Sequence, residues 1–129
     1  MSLKINAIHN HGDAKEEYVF LQATADIDLG NYAVVDRTFN KDGKLSNVHR
    51  HYFRFPTKLI KKGDYVSLRT SEGKPEVGKT KDDEPIHRFY WGSKAPIWND
   101  ANTEQAELLK VATVEYKNVP ATVQSVAKK

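Results

Sequence analysis

Gly73-Lys74-Pro75-Glu76-Val77-Gly78-Lys79-Thr80 matches the G-x-x-x-x-G-K-S/T pattern of a phosphate-binding loop at every position. Such a loop holds nucleotide because successive backbone N–H groups and the N-terminus of a following helix converge on phosphate. A strand-like stretch, Tyr65–Thr70, precedes it. The helix is what fails. Lys81-Asp82-Asp83-Glu84 meets Pro85 after four residues, and proline inside a helix destabilises it by about 3 kcal/mol or more. The acidic triplet would also stand beside the phosphates. The segment from Ser71 to Pro85 therefore reads as a loop between two strands, and no nucleotide is expected.

The histidines fall at His9 and His11, His49 and His51, and His87. On a strand the members of a His-x-His pair share a face, and such a pair can give a divalent ion two ligands. His49 and His51, however, share their phase with Phe53 and Phe55, and His87 shares one with Phe89 and Trp91. That phase predicts histidines packed at a sheet margin rather than a metal site. With no cysteine in the chain, disulfides, zinc–thiolate and iron–sulfur sites and thiol catalysis are excluded. No Gly-x-Ser-x-Gly elbow is present, and no pair of carboxylates is singled out. The expectation is a protein that is not an enzyme and that needs no cofactor.

These residues sit on short segments of period-2 alternation. Leu3, Ile5 and Ala7 alternate with Lys4 and Asn6, a half-buried strand pattern. Tyr18–Leu21 is apolar on both faces, as a central strand would be. Further strands are expected at Tyr32–Val35, about Val48–Phe55, Tyr65–Thr70, Ile86–Trp91, Ala106–Val111 and Thr113–Tyr116. Leu29-Gly30-Asn31, Asp42-Gly43 and Lys62-Gly63-Asp64 supply turns, and Pro56 ends a strand. Glu104–Lys110 would also accommodate one or two helical turns. About eight short strands divided by turn residues predict an all-β fold, an antiparallel sandwich or barrel. Residues 1–120 would form one domain, and 121–129 a flexible C-terminal tail.

Strand phase then singles out a surface. If Phe53, Phe55, Val66, Leu68, Phe89 and Trp91 face the core, alternation turns the opposite set outward. That set is Arg50, Tyr52 and Arg54 from one strand, Tyr65 and Arg69 from the next, and Arg88 and Tyr90 from a third. Were the three strands neighbours, they would build one basic-aromatic face. Arginine can fork onto phosphate or carboxylate while tyrosine supplies stacking and contact area. Cross-strand Tyr/Arg pairing that only stabilises the sheet is the alternative.

A chain of 129 residues with 39% hydrophobic and 29% charged residues has the length and composition of one globular domain. The net charge of +3 decides little, but its layout is uneven. Residues 1–36 carry two lysines against six carboxylates, whereas residues 37–69 carry nine Lys/Arg against Asp42 and Asp64. A basic middle third can orient an anionic partner. Apolar runs reach only four residues, far short of the roughly 20 that span a bilayer, so no membrane insertion is expected. No stretch of about 7–15 apolar residues stands near the start. A cytoplasmic location is the default expectation, with secretion the alternative for a chain trimmed of its leader.

Four blocks in order resemble the lamin-tail domain family. They are Glu17-Tyr18-Val19-Phe20-Leu21 with Asp28–Asp36; Tyr52-Phe53-Arg54-Phe55-Pro56 with Leu59 and Gly63-Asp64-Tyr65-Val66; Ile97-Trp98-Asn99-Asp100; and Ala106-Glu107-Leu108 with Val114-Glu115-Tyr116. The resemblance implies an immunoglobulin-like β-sandwich used for binding or targeting, without a catalytic centre. In lamins the domain contacts proteins and chromatin or DNA. A free-standing member of the bacterial type would be a non-enzymatic interaction module that binds a protein partner or itself. The alternative is a nucleic-acid-binding domain that uses the Arg/Tyr face.

Overall fold

The computed structural model describes residues 2–39, 45–99 and 104–122, the side chains of residues 39 and 45–50 excepted. The chain forms β1 (Leu3–His9), β2 (Tyr18–Ala23), β3 (Ile27–Asp28), a single 3-10 turn (Leu29–Asn31), β4 (Tyr32–Phe39), β5 (Leu45–Arg54), β6 (Leu59–Ile60), β7 (Tyr65–Arg69), β8 (Glu76–Lys79), β9 (Pro85–Tyr90) and β10 (Glu104–Lys110). These elements make a five-stranded sheet in the order β1-β2-β7-β9-β8, a three-stranded sheet in the order β10-β4-β5, and the small β3-β6 pair. The fold is an all-β sandwich.

Alternation explains how the two large sheets close on each other. The five-stranded sheet turns Leu3, Val19, Leu21, Val66, Leu68 and Phe89 inward, all buried. The three-stranded sheet answers with Tyr32, Val34, Phe53, Ala106 and Leu108, and Phe55 follows the end of β5. Across the gap Phe55 meets Phe89 at 5.3 Å between ring centroids, and Phe53 meets Trp91 at 5.9 Å. Trp91 in turn touches Trp98 at 6.1 Å. A β-bulge between Ile5 and Ala7 adds one residue to β1, so that Leu3, Ile5 and Ile8 can all reach the core. The β3-β6 pair brings Ile60 and Ile27 over one end.

Buried Glu17 ties three separate segments together. Its carboxylate accepts from Gly12 N at 2.9 Å, from the Thr70 hydroxyl, from Ile97 N at 2.8 Å and from Trp98 N at 3.3 Å. A carboxylate with no solvent exposure needs such donors, since an unpaired buried charge is strongly unfavourable.

Three local expectations change. All strand pairs are antiparallel except β7·β9, which is parallel. A parallel pair needs a crossover of roughly a dozen residues or more. The Ser71–Pro85 segment supplies it, and contains β8, which no apolar alternation announces. Glu104–Lys110 is a strand throughout, paired residue for residue with β4. Thr113–Tyr116 is not a strand: residues 112–122 are exposed, with Val114 at 98% and Tyr116 at 81%. The Asp42-Gly43 turn and residues 123–129 lie outside the described residues. Among those described, no helix is long and apolar enough to cross a membrane.

Candidate binding face

The condition for a single Arg/Tyr face holds for two of the three strands. β7 and β9 are neighbours, with Tyr65 opposite Ile86, Ser67 opposite Arg88 and Arg69 opposite Tyr90. Tyr65, Arg69, Arg88 and Tyr90 therefore share the outer face of the five-stranded sheet. β5 belongs to the other sheet. Tyr52, 50% exposed, stands there opposite Val35. Arg54 is engaged locally, donating from Nε to Gly30 O at 2.8 Å and from Nη1 to Thr113 Oγ1 at 3.1 Å. Arg50 lies on β5, and its side chain is outside the described residues. Alternation says which face of a strand a residue takes but not which sheet the strand joins, and this separates β5 from the other two.

The face is completed by residues that phase alone did not assign. β2 pairs with β7, so Tyr18 and Phe20 point the same way as Tyr65 and Arg69. Phe20 stacks on Tyr65 with centroids 5.0 Å apart and planes 12° from parallel. His9 on β1 continues the row, 4.9 Å from Tyr18. Arg69 lies 5.2 Å over the Tyr18 ring, donates to Lys15 O at 3.1 Å and stands 3.7 Å from Glu16. Offset rings on exposed strands stabilise the sheet, and they also leave a flat, half-exposed aromatic stripe beside a guanidinium.

Beside this row the β8–β9 hairpin forms one wall of a concavity of about 720 Å³. Four cations line it, Arg69, Lys79, Lys81 and Arg88, against the carboxylates of Glu76 and Asp82. The hollow thus keeps a positive excess, and Tyr18, Phe20 and Tyr90 supply its rings.

The residues of the phosphate-loop pattern have different work here. A Cβ on Gly78 would stand 2.0 Å from Arg88 Nη1, and one on Gly73 would stand 2.5 Å from the Tyr90 ring. Both glycines are flat seats for side chains of this outer face. Arg88 is held further by Glu76 Oε1 at 3.0 Å and Lys79 O at 3.3 Å. Thr80 closes the hairpin: its hydroxyl accepts from Asp82 N at 3.3 Å and from Glu84 N at 3.2 Å. Beyond this turn the chain enters β9 rather than a helix.

His51 and His87 take fold contacts, His11 is exposed, and the side chain of His49 lies outside the described residues. His87 is buried on the inner side of β9, with Nε2 2.9 Å from Asp64 Oδ2. His51 places Nδ1 3.0 Å from Oδ2 of fully buried Asp36, whose other oxygen accepts His51 N at 2.8 Å. The His51 ring meets Trp91 edge-on. Among the described residues, no group of three or more His, Asp or Glu side chains is arranged to hold a metal ion. Comparison with protein-family models and with curated proteins gives no match for the chain.

Proposed function

We propose that this chain is a non-enzymatic interaction module, an immunoglobulin-like sandwich of the lamin-tail kind, which receives its partner on the outer face of the five-stranded sheet. The partner is a protein or a second copy of the chain. One observation carries the reading: Arg88 and Tyr90 rest on Gly78 and Gly73, so a basic-aromatic surface is pre-set before any partner arrives. Pre-ordered side chains lose less freedom on binding, and Arg and Tyr are enriched where binding energy concentrates. The buried carboxylates Glu17 and Asp36 and the partly buried Asp64 point the same way, because they accept hydrogen bonds from their own fold.

A second reading, single-stranded nucleic acid, draws on the His9–Tyr18–Phe20–Tyr65 row beside Lys79 and Lys81. Bases stack on such rings, and phosphates pair with such cations. Salt separates the two readings, since phosphate contacts release counterions and lose affinity steeply as salt rises.

The test is binding by the wild-type protein, Arg88→Ala/Tyr90→Ala, and Tyr52→Ala as the control on the opposite sheet. The probes are an oligothymidine and an acidic peptide, each at low and moderate salt. Loss with the first variant alone supports the face. Equal loss with Tyr52→Ala, or no binding by any form, refutes it.

A further inference from the structure

We propose that the hollow on the outer face is a phosphate-monoester site, and that the protein partner fills it with a phosphotyrosine side chain. This rests on the interaction-module reading and names the chemical group that the face receives.

Ser67 fixes the place. It is the middle residue of β7, itself the central strand of the five-stranded sheet. Phe20 stands beside it on β2 and Arg88 on β9. A small residue between two large ones leaves a gap, and Ser67 lines the hollow there. The residue is only 9% exposed, yet its hydroxyl has no hydrogen-bond partner among the described residues. A secluded hydroxyl without a partner works against folding. Its donor is free for an acceptor that arrives from outside.

Charge says which acceptor. The four cations of the hollow exceed its two carboxylates by two. A phosphate monoester carries about −1.5 to −2 at pH 7 and three strong acceptor oxygens, whereas a carboxylate carries one charge. Arg88 and Arg69 flank Ser67, about 5 Å away across the ladder and about 7 Å away along the strand at the backbone. Each guanidinium has five donors and keeps some in reserve. Arg88 commits one to Glu76 and one to Lys79 O, and Arg69 commits Nη1 to Lys15 O and Glu16 O. Lys79 and Lys81 form no ion pair among the described residues. Asp82 is the opposing charge, while Glu76 is already matched by Arg88.

Shape says what carries the phosphate. At about 720 Å³ the hollow is far larger than one phosphate needs, and it lies in the range of sites for ring-bearing ligands. Tyr18, Phe20 and Tyr90 offer it ring faces and edges. Among phosphorylated hydroxyl side chains, only phosphotyrosine joins a ring to the monoester.

The experiment is fluorescence anisotropy of the full chain with one labelled peptide, carrying tyrosine, phosphotyrosine or phosphoserine at its centre. Phenyl phosphate and a nucleoside 5′-monophosphate serve as competitors. The phosphotyrosine form should bind roughly tenfold tighter than either of the others. Ser67→Ala should cut that advantage severalfold without lowering the melting temperature, because the hydroxyl bonds nothing in the fold. Arg88→Lys, which keeps the charge but loses the fork, should cut it as well. Equal affinity for the three peptides overturns the proposal, and so does a Ser67→Ala protein that melts well below wild type. A nucleoside monophosphate that displaces the peptide at lower concentration than phenyl phosphate assigns the hollow to a free nucleotide and overturns phosphotyrosine. Binding that Arg88→Ala/Tyr90→Ala abolishes, but that is indifferent to phosphate, overturns the phosphate site alone and leaves the proposed function standing.

Discussion

Replacing Gly78 by alanine separates folding from recognition. The added methyl would fall 2.0 Å from Arg88 Nη1 and 3.0 Å from its Cζ, so the guanidinium must leave its seat. It can, because it is the far end of a flexible side chain. Leaving gives up the Glu76 contact, where the side chains are 33% and 57% exposed, and exposed pairs of this kind are worth about 0–1 kcal/mol. Against this, Gly→Ala at a tolerated backbone position stabilises by about 0.4–1 kcal/mol through the unfolded chain. The two nearly cancel. Thermal unfolding should therefore shift by no more than about 4 °C, while affinity for the probe bound at the outer face falls at least tenfold. Melting curves and fluorescence anisotropy on the same samples measure both. A loss of more than about 2 kcal/mol would show that Arg88 is fixed by the fold rather than seated for a partner. Unchanged affinity would show that its position does not matter to binding.

Glu17→Gln keeps the size of the side chain but sets an NH₂ among the four donors that now point at a carboxylate. Urea unfolding should show a loss of about 2–4 kcal/mol with an unchanged slope, and a loss under 1 kcal/mol would contradict the tie. Ending the chain after Val111 removes residues 123–129 together with 112–122, of which the latter are exposed and make one described contact, Arg54 Nη1 to Thr113. Stability should stay within about 0.5 kcal/mol of the full chain, as checked by the same unfolding curves. Gly63 adopts φ +93° in the turn before β7. Gly63→Ala should lower stability by about 1–2 kcal/mol, visible as a lower melting temperature.

Most of the sandwich is legible in the amino-acid order because one buried face leaves a period-2 trace. β1, β5, β7 and β9 follow from such alternation, β2 and β4 from short apolar runs bounded by turn residues, and β10 from a segment that also suits a helical turn. β8 does not, since Glu76-Val77-Gly78-Lys79 holds one large apolar residue and becomes a strand through its ladder with β9. Thr113–Tyr116 errs the other way, with strand-forming residues but, among the described residues, no neighbouring strand to complete a ladder. The candidate face shows the same boundary. Tyr65, Arg69, Arg88 and Tyr90 are readable from phase, whereas Tyr18 and Phe20 are hidden in a run apolar on both sides. Nothing local tells which half of that run faces out. The seats at Gly73 and Gly78 are concealed further by a pattern that suggests phosphate binding.

The central claim is that recognition takes place on the outer face of the five-stranded sheet. Amide chemical-shift mapping of the labelled protein, titrated in turn with an oligothymidine and an acidic peptide, tests it most directly. Perturbed amides should cluster on β2, β7, β8 and β9, around Tyr18, Arg69, Arg88 and Tyr90. Shifts gathered instead on β4, β5 and β10, or none with either probe, would contradict it.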